Sequence, residues 1–407
     1  MHPSPLLSTY QAANAPLLTW GGGAAGIEGG QGIKVPAALN PIEIEYAAIR
    51  KHCALLDLSI RGTLELRGPE SIDFLNRMVT QELKPKDAGF EVGSVRRSLW
   101  LNRKGRIDAD LRVIRLKDRL ILELDALAAE RTTKSLSSFI ITEDCELKDT
   151  TQATHRLALH GPTAWELLRI ACAGVTESPI APAICIETSI ASASCILYRE
   201  DSAGVPGFEL IVPATQASAV IGKLVECGHD SAHANFESPH RAIALRQANN
   251  PAAHIRMLPI GWHAYNIARV EAKTPLFNVD FGMENLPAEM GEATLKDRVS
   301  FTKGCYLGQE VVARMYARKQ SKQSLMFVRF DAAATEGYPP IPSTGAALAT
   351  CEPGSELAIG AITSAVPSPQ RSMACVALAQ VKSSSPPGTK VRVEAEGTWL
   401  TGVLESL

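Results

Sequence analysis

One unit occurs twice in this chain, and it limits the folds available more than any other feature. "LELRGPESIDFLNRMV" (64–79) and "LALHGPTAWELLRIAC" (157–172) both read Leu-x-Leu-x-Gly-Pro, then a small residue, an acidic one and Leu. Leu64 and Leu66, like Leu157 and Leu159, alternate as on a half-buried strand. Gly68 and Gly161 allow a turn, and Pro69 and Pro162 suit the first helical position, where a missing N–H costs nothing. Ile72, Leu75, Met78 and Val79 then form an apolar stripe, matched by Trp165, Leu168, Ala171 and Cys172. Two copies of one strand–turn–helix unit, about 90 residues apart, predict two related α+β domains.

Each unit is followed by candidate antiparallel strands. "RIDADLRVIRL" and "RLILELDAL" flank Lys117-Asp118-Arg119, and "CILYRE" and "GFELIVP" flank the Gly204–Gly207 loop. After Gln320 the texture changes to short apolar strands such as "LMFVRF", "LAIGAITSAV", "MACVALAQV" and "KVRVEAEGTWLTGVL", separated by Gly and Pro turns. That pattern predicts a small all-β barrel or sandwich. The reading is therefore a loosely ordered arm (1–40), a first α+β domain (41–150), a second (151–320) and a C-terminal β-barrel (321–407).

Composition narrows the function classes. The 407 residues have a formal net charge of -2, which excludes the molecule-wide basic field of bulk nucleic-acid binding. No apolar run approaches the roughly 20 residues of a membrane span. Residues 1–40 are rich in Gly, Ala and Pro and lack the marks of a secretory signal or transit peptide. The nine cysteines are scattered, with no C-x-x-C pair, which points to a reducing, cytoplasmic setting and away from a self-contained metal site.

Four stretches carry candidate chemistry. In "FTKGCYLGQEVVARM" (301–315), Cys305 sits between Gly304 and Tyr306, two residues after Lys303 and just before a predicted helix over 309–318. A helix N-terminus and a nearby lysine both favour thiolate. A packed structural cysteine is the other reading. In "LNRKGRIDADLRV" (101–113), Asp108 and Asp110 fall two apart on a strand pattern and share a face. They suit binding of heterocycle N–H groups or base chemistry, or a solvated charged hairpin. In "RVEAKTPLFNVDF" (269–281), Arg269 and Glu271 flank a helix end, with generic ion pairing as the alternative. Arg96, Arg97, Arg103, Lys104 and Arg106 with Trp100 form a basic, aromatic cluster suited to a weak tRNA contact or to a solvated loop.

Taken together these stretches resemble the YgfZ family, folate-binding relatives of the glycine-cleavage T-protein, an aminomethyltransferase. "KGCYLGQE" matches the family's K-G-C-Y-x-G-Q-E signature throughout, and "LRGPE", "LHGPT", "GRIDADL", "GFEL" and "RVEA-TP---VDF" support it from about residue 42 onward. The resemblance implies a three-domain cloverleaf of the T-protein type, with two α+β domains and a β-barrel around a channel for tetrahydrofolate or another reduced folate. It implies a role in assembly or repair of iron–sulfur proteins, including enzymes that methylthiolate tRNA, with those clients as partners. It carries a reactive cysteine onto Cys305, with Lys303, Gly304, Tyr306, Gly308, Gln309 and Glu310 around it. The channel aspartate falls on Asp110, with Asp108 as the fallback, and Arg269, Glu271, Tyr306 and Gln309 stand near the cofactor. The alternative is a tetrahydrofolate-dependent aminomethyltransferase. Against it, Val205 stands where the T-protein pattern has a folate-contacting glutamate, and Ala109 replaces the first aspartate of its pair. A Val side chain accepts no hydrogen bond from a pterin N–H.

Overall fold

The computed structural model describes residues 4–21, 32–84, 90–228, 257–318, 321–331, 338–351 and 357–407. The chain forms two compact units, each discontinuous in sequence. One takes residues 1–71, 90–95 and 112–268, the other 72–89, 96–111 and 269–407.

The first unit holds a six-stranded sheet in the order Cys185–Ile190, Ala193–Arg199, Gly207–Pro213, Thr154–His160, Cys53–Asp57 and Met257–Ile260. All neighbours are antiparallel except the last pair. Its apolar face, with Leu157, Leu159, Leu197 and Leu210 all fully buried, shares one core with the helices Ala164–Ala171 and Ala217–Gly228. The same unit contains the hairpin in which Arg112–Arg115 pairs with Leu120–Glu123, and the strand Arg61–Arg67, which pairs with Leu120–Asp125 on one side and Glu146–Asp149 on the other. Both hairpins read from the sequence are present.

The repeat supplies a strand, a turn and a helix each time: Arg61–Arg67 then Ser71–Met78, and Thr154–His160 then Ala164–Ala171. The glycines are needed for close approach. A Cβ on Gly68 (φ +117°) would lie 2.2 Å from the Asp144 carbonyl oxygen, and one on Gly161 (φ +134°) 2.1 Å from that of His52. The prolines differ from expectation. Pro69 and Pro162 lie in the turn before each helix, because the turn takes an additional residue or two before the helical dihedrals begin.

The arm expected to be loosely ordered carries regular structure in its described part. Leu7–Ala12 is helical, and Leu17–Trp20 pairs with Ile33–Pro36. Ser4 Oγ and Tyr10 Oη donate to Asp57 Oδ2 at 2.8 and 2.9 Å, and Trp20 Nε1 donates to Asp125 Oδ2 at 3.1 Å. Polar tethers of this kind hold a segment whose composition promises little burial. The Gly-rich centre of that arm, residues 22–31, lies outside the described residues.

The second unit ends in a closed six-stranded barrel. Its order is Gln323–Phe330, Cys375–Lys382, Ala358–Pro367, Ala347–Thr350, Lys390–Ala395 and Thr398–Glu405. Val328, Leu348, Ala377, Val391 and Val393 are fully buried inside it. Short apolar strands forming a small all-β barrel or sandwich are what the C-terminal pattern predicted, and closure leaves no free edge. The α+β fold with a C-terminal barrel is thus present. No helix among the described residues is long and apolar enough to cross a membrane.

Candidate functional site

The second unit gathers most of the candidate residues. The strand Ile107–Arg115 begins there, and Asp108 and Asp110 point to one face of it, both half-buried. The turn before the strand is ordered by Asn102. Its Oδ1 accepts from the N–H groups of Lys104 (2.9 Å) and Arg106 (3.1 Å), and its Nδ2 donates to Asp108 Oδ1 at 3.3 Å. Asp110 is held by Arg298, whose Nε donates to Oδ1 at 2.8 Å and Nη2 to Oδ2 at 3.2 Å. A carboxylate has about four lone-pair positions, so this fork leaves acceptor capacity on Asp110. Arg298 was not foreseen, since nothing in the sequence joins two residues 188 positions apart.

The signature loop docks against the same turn. A Cβ on Gly308 (φ +81°) would lie 3.0 Å from the Asn102 carbonyl oxygen, and one on Gly105 would lie 2.8 Å from Val311 Cβ. The helix runs Gln309–Arg318, as expected. Its first turn is fixed by a reciprocal pair: Tyr306 N–H donates to Gln309 Oε1 (3.2 Å) and Gln309 N–H to the Tyr306 carbonyl (3.2 Å). Gln309 therefore closes the turn that leads into the helix, and Tyr306, 8% exposed, packs inward. Gly304, Cys305 and Glu310 are exposed.

Lys303 departs from expectation. Its ammonium donates to the carbonyls of Asn76 (2.6 Å), Val79 (2.7 Å) and Gln81 (3.0 Å). Burial pushes its pKa down to about 8, against the opposing pull of Glu82. An ammonium has three N–H groups, and all three are spent on backbone, so none is left to donate to Cys305.

Arg269 and Glu271 serve the barrel. Arg269 is 1% exposed; its Nη1 donates to Asp280 Oδ2 and its Nη2 to Ser364 Oγ, each at 2.7 Å. Asp280 Oδ1 also accepts from Thr363 Oγ1 (2.8 Å) and Ser364 Oγ (2.7 Å). Glu271 accepts from Ser368 Oγ and from Gln370 N–H. These partners engage buried Arg269 and half-buried Glu271 with the barrel's own side chains and backbone. In the basic cluster, Trp100 is 1% exposed and offers no face for a base, while Arg106 pairs with Glu284.

The first unit carries a polar cluster that sequence reasoning missed. Arg112 meets Glu123, Glu200 and Tyr198; Arg61 also meets Glu123; Arg156 Nη1 donates to Tyr198 Oη at 3.1 Å, and Tyr198 donates to Glu209. Burial pushes Glu209 up. Burial would also raise Glu123, but Arg61, Arg112 and Arg156 outweigh it and hold that carboxyl well below the usual range. One signal was legible, for Arg112 follows Asp110 by two residues and shares its strand face. Val205 is half-buried and Ala109 fully buried, and neither apolar side chain offers an acceptor.

This fold and sequence have known relatives. The family described as GCVT N-terminal domain matches residues 23–246, over half of the chain, and the protein belongs to that family. Similar proteins named aminomethyltransferase include those of Symbiobacterium thermophilum and Halalkalibacterium halodurans. The first is 25% identical over 316 residues, covering 76% of this chain and 76% of its own length. The second is 24% identical over 325 residues, covering 79% and 75%. The crystal structure of glycine cleavage system aminomethyltransferase T from Bartonella henselae superposes with a TM-score of 0.77 at 22% identity, over 100% of this chain and 97% of that one. That likeness fixes the fold as the T-protein type.

Proposed function

We propose that the protein binds a reduced folate, with tetrahydrofolate as the simplest form and Asp110 as the carboxylate that receives pterin N–H groups. The observation that carries this reading is Asp110 itself. It stands on the strand that the T-protein pattern designates, is oriented by Arg298, and keeps acceptor capacity. Titration of the full chain with tetrahydrofolate in a calorimeter tests it. Saturable binding that weakens in Asp110→Asn is expected, and absence of binding by the wild type refutes it. The division into segments 41–150, 151–320 and 321–407, and a cytoplasmic location, belong to the same proposal, supported by the repeat, by barrel strands that start at Gln323 and by the cysteine pattern, with the strand Cys53–Asp57 paired to Thr154–His160 across the first boundary.

For the activity, the names of the relatives support aminomethyl transfer, in which a methylene passes from a protein-bound aminomethyl group to tetrahydrofolate. One observation favours a second reading, folate-dependent assembly or repair of iron–sulfur proteins of the YgfZ type. Cys305 is exposed, in a complete K-G-C-Y-x-G-Q-E signature, while Val205 and Ala109 remove two acids of the T-protein pattern. A single cysteine cannot hold a cluster, so further ligands would come from a client protein. An assay with aminomethylated carrier protein and tetrahydrofolate separates the two. Turnover that survives Cys305→Ser supports aminomethyl transfer. No turnover, with loss of iron–sulfur enzyme activity in cells carrying Cys305→Ser, supports the second reading.

A further inference from the structure

Cys305 projects from a loop whose two sides are fixed by different means. On one side, residues 297–303 are stitched to residues 76–81. Thr80 Oγ1 donates to the Arg298 carbonyl at 2.7 Å, Ser300 N–H to the Thr80 carbonyl at 3.0 Å, and Gln81 Nε2 to the Asp297 carbonyl at 3.1 Å. Lys303 completes the seam. The helix Ser71–Met78 ends there, where its last carbonyls have no intrahelical donors and carry the negative end of the dipole. The Lys303 ammonium supplies three N–H groups, one to the helix carbonyl of Asn76 and two to the carbonyls of Val79 and Gln81 just beyond it, with the Tyr306 ring centroid 5.3 Å away. On the other side, Tyr306 is buried and bonded to Gln309, and Gly308 rests on the Asn102 carbonyl. Between these anchors the chain is open. Gly304 and Cys305 are exposed, and a Cβ on Gly304 meets nothing within 4 Å.

We propose that Lys303 is a positioning residue: by capping the C-terminal end of the 71–78 helix it holds the Cys305 loop so that the thiol stands outward, and it does not activate the sulfur. This rests on the reading of Cys305 as a working thiol. The argument is one of donor count. To donate a hydrogen bond to a thiolate, Lys303 would have to withdraw one from a buried carbonyl, and an orphaned buried carbonyl is costly. The motif's lysine thereby acquires a task distinct from that of its cysteine. It sets where a reactant or client must approach, which is from solvent, onto a sulfur flanked by a residue without a side chain.

The test uses the full-length protein as wild type, Lys303→Met and Lys303→Arg. Cys305 alkylation by iodoacetamide is followed against pH by mass spectrometry, together with hydrogen exchange over residues 300–310. In Lys303→Met the midpoint of the alkylation profile should stay in place, while exchange of the Tyr306 amide accelerates by about tenfold or more. Lys303→Arg, which keeps a cation at the helix end, should restore part of the protection. An upward move of the midpoint in Lys303→Met would make the lysine an activator and overturn the proposal. Unchanged exchange would overturn it too. Should Lys303→Met fail to fold, exchange in the wild type decides: a Tyr306 amide no slower than an unstructured one means that the loop is not held. If Cys305→Ser proves functionally silent while these results hold, the working-thiol reading falls and the positioning role stands.

Discussion

Arg298 grips both carboxylate oxygens of Asp110, at 2.8 and 3.2 Å, across 188 residues of chain. The guanidinium side chain is 4% exposed and the carboxylate 13%. The pair orders the strand that carries Asp110 and joins it to the segment leading to Cys305. Arg298→Gln should therefore lower stability by about 2–4 kcal/mol, since it strands a mostly buried carboxylate, and should weaken folate binding as well. Urea unfolding and calorimetry read the two effects. A variant as stable as the wild type would mean that the pair is solvent-screened.

Two glycines of the signature should respond differently to the same change. Gly308→Ala forces a Cβ to 3.0 Å from the Asn102 carbonyl oxygen at φ +81° and should cost about 1–3 kcal/mol. Gly304→Ala meets open space and should stay within roughly 0.5 kcal/mol of wild type. Thermal melts of the two variants side by side check this. Equal losses would contradict the docking of the loop on the 102–106 turn.

The cysteines should divide by exposure. Cys305 and Cys351 are exposed, whereas Cys53, Cys172, Cys185, Cys195, Cys227 and Cys375 are buried. Burial pushes Cys185 and Cys375 up to about 12, which removes thiolate at neutral pH. Brief alkylation at pH 7 should thus mark Cys305 and Cys351 first, as read by peptide mapping. Cys305→Ser should leave the melting temperature almost unchanged, and a large drop would point to a structural thiol.

Acid should weaken the first unit through His160. Its imidazole is fully buried, and burial pushes its pKa down to about 4 from the ordinary 6.5, with Glu200 and Asp201 pulling the other way. Between those two values the unfolded chain binds a proton that the folded chain refuses. Stability therefore falls as pH drops from 6.5 towards 4, by on the order of 3 kcal/mol. Denaturant midpoints measured across that window should show the slope, and His160→Gln should flatten it.

The internal ion pair beneath the barrel should be costly to break from one side. Asp280→Ala leaves Arg269, 1% exposed, without its carboxylate and should cost about 3–5 kcal/mol. Replacing both residues with apolar ones should cost less than the single change. A double-mutant cycle by denaturant unfolding measures the difference.

Local chemistry made much of this protein legible. The Leu-x-Leu-x-Gly-Pro repeats became strands, turns and helices because alternation, a glycine and a helical stripe act within a few residues. The C-terminal strands closed into a barrel for the same reason, and the 309–318 helix followed from its apolar face and charged ends. What each charged side chain meets was decided elsewhere. Lys303 lies two residues from Cys305 in sequence, yet its ammonium is spent on carbonyls more than 220 positions away. Arg269, set beside Glu271 in a promising motif, is consumed by Asp280 and Ser364. Backbone shape depends on neighbours along the chain, whereas the partner of a buried charge depends on which distant donors and acceptors folding brings within about 3 Å, and no local pattern records that.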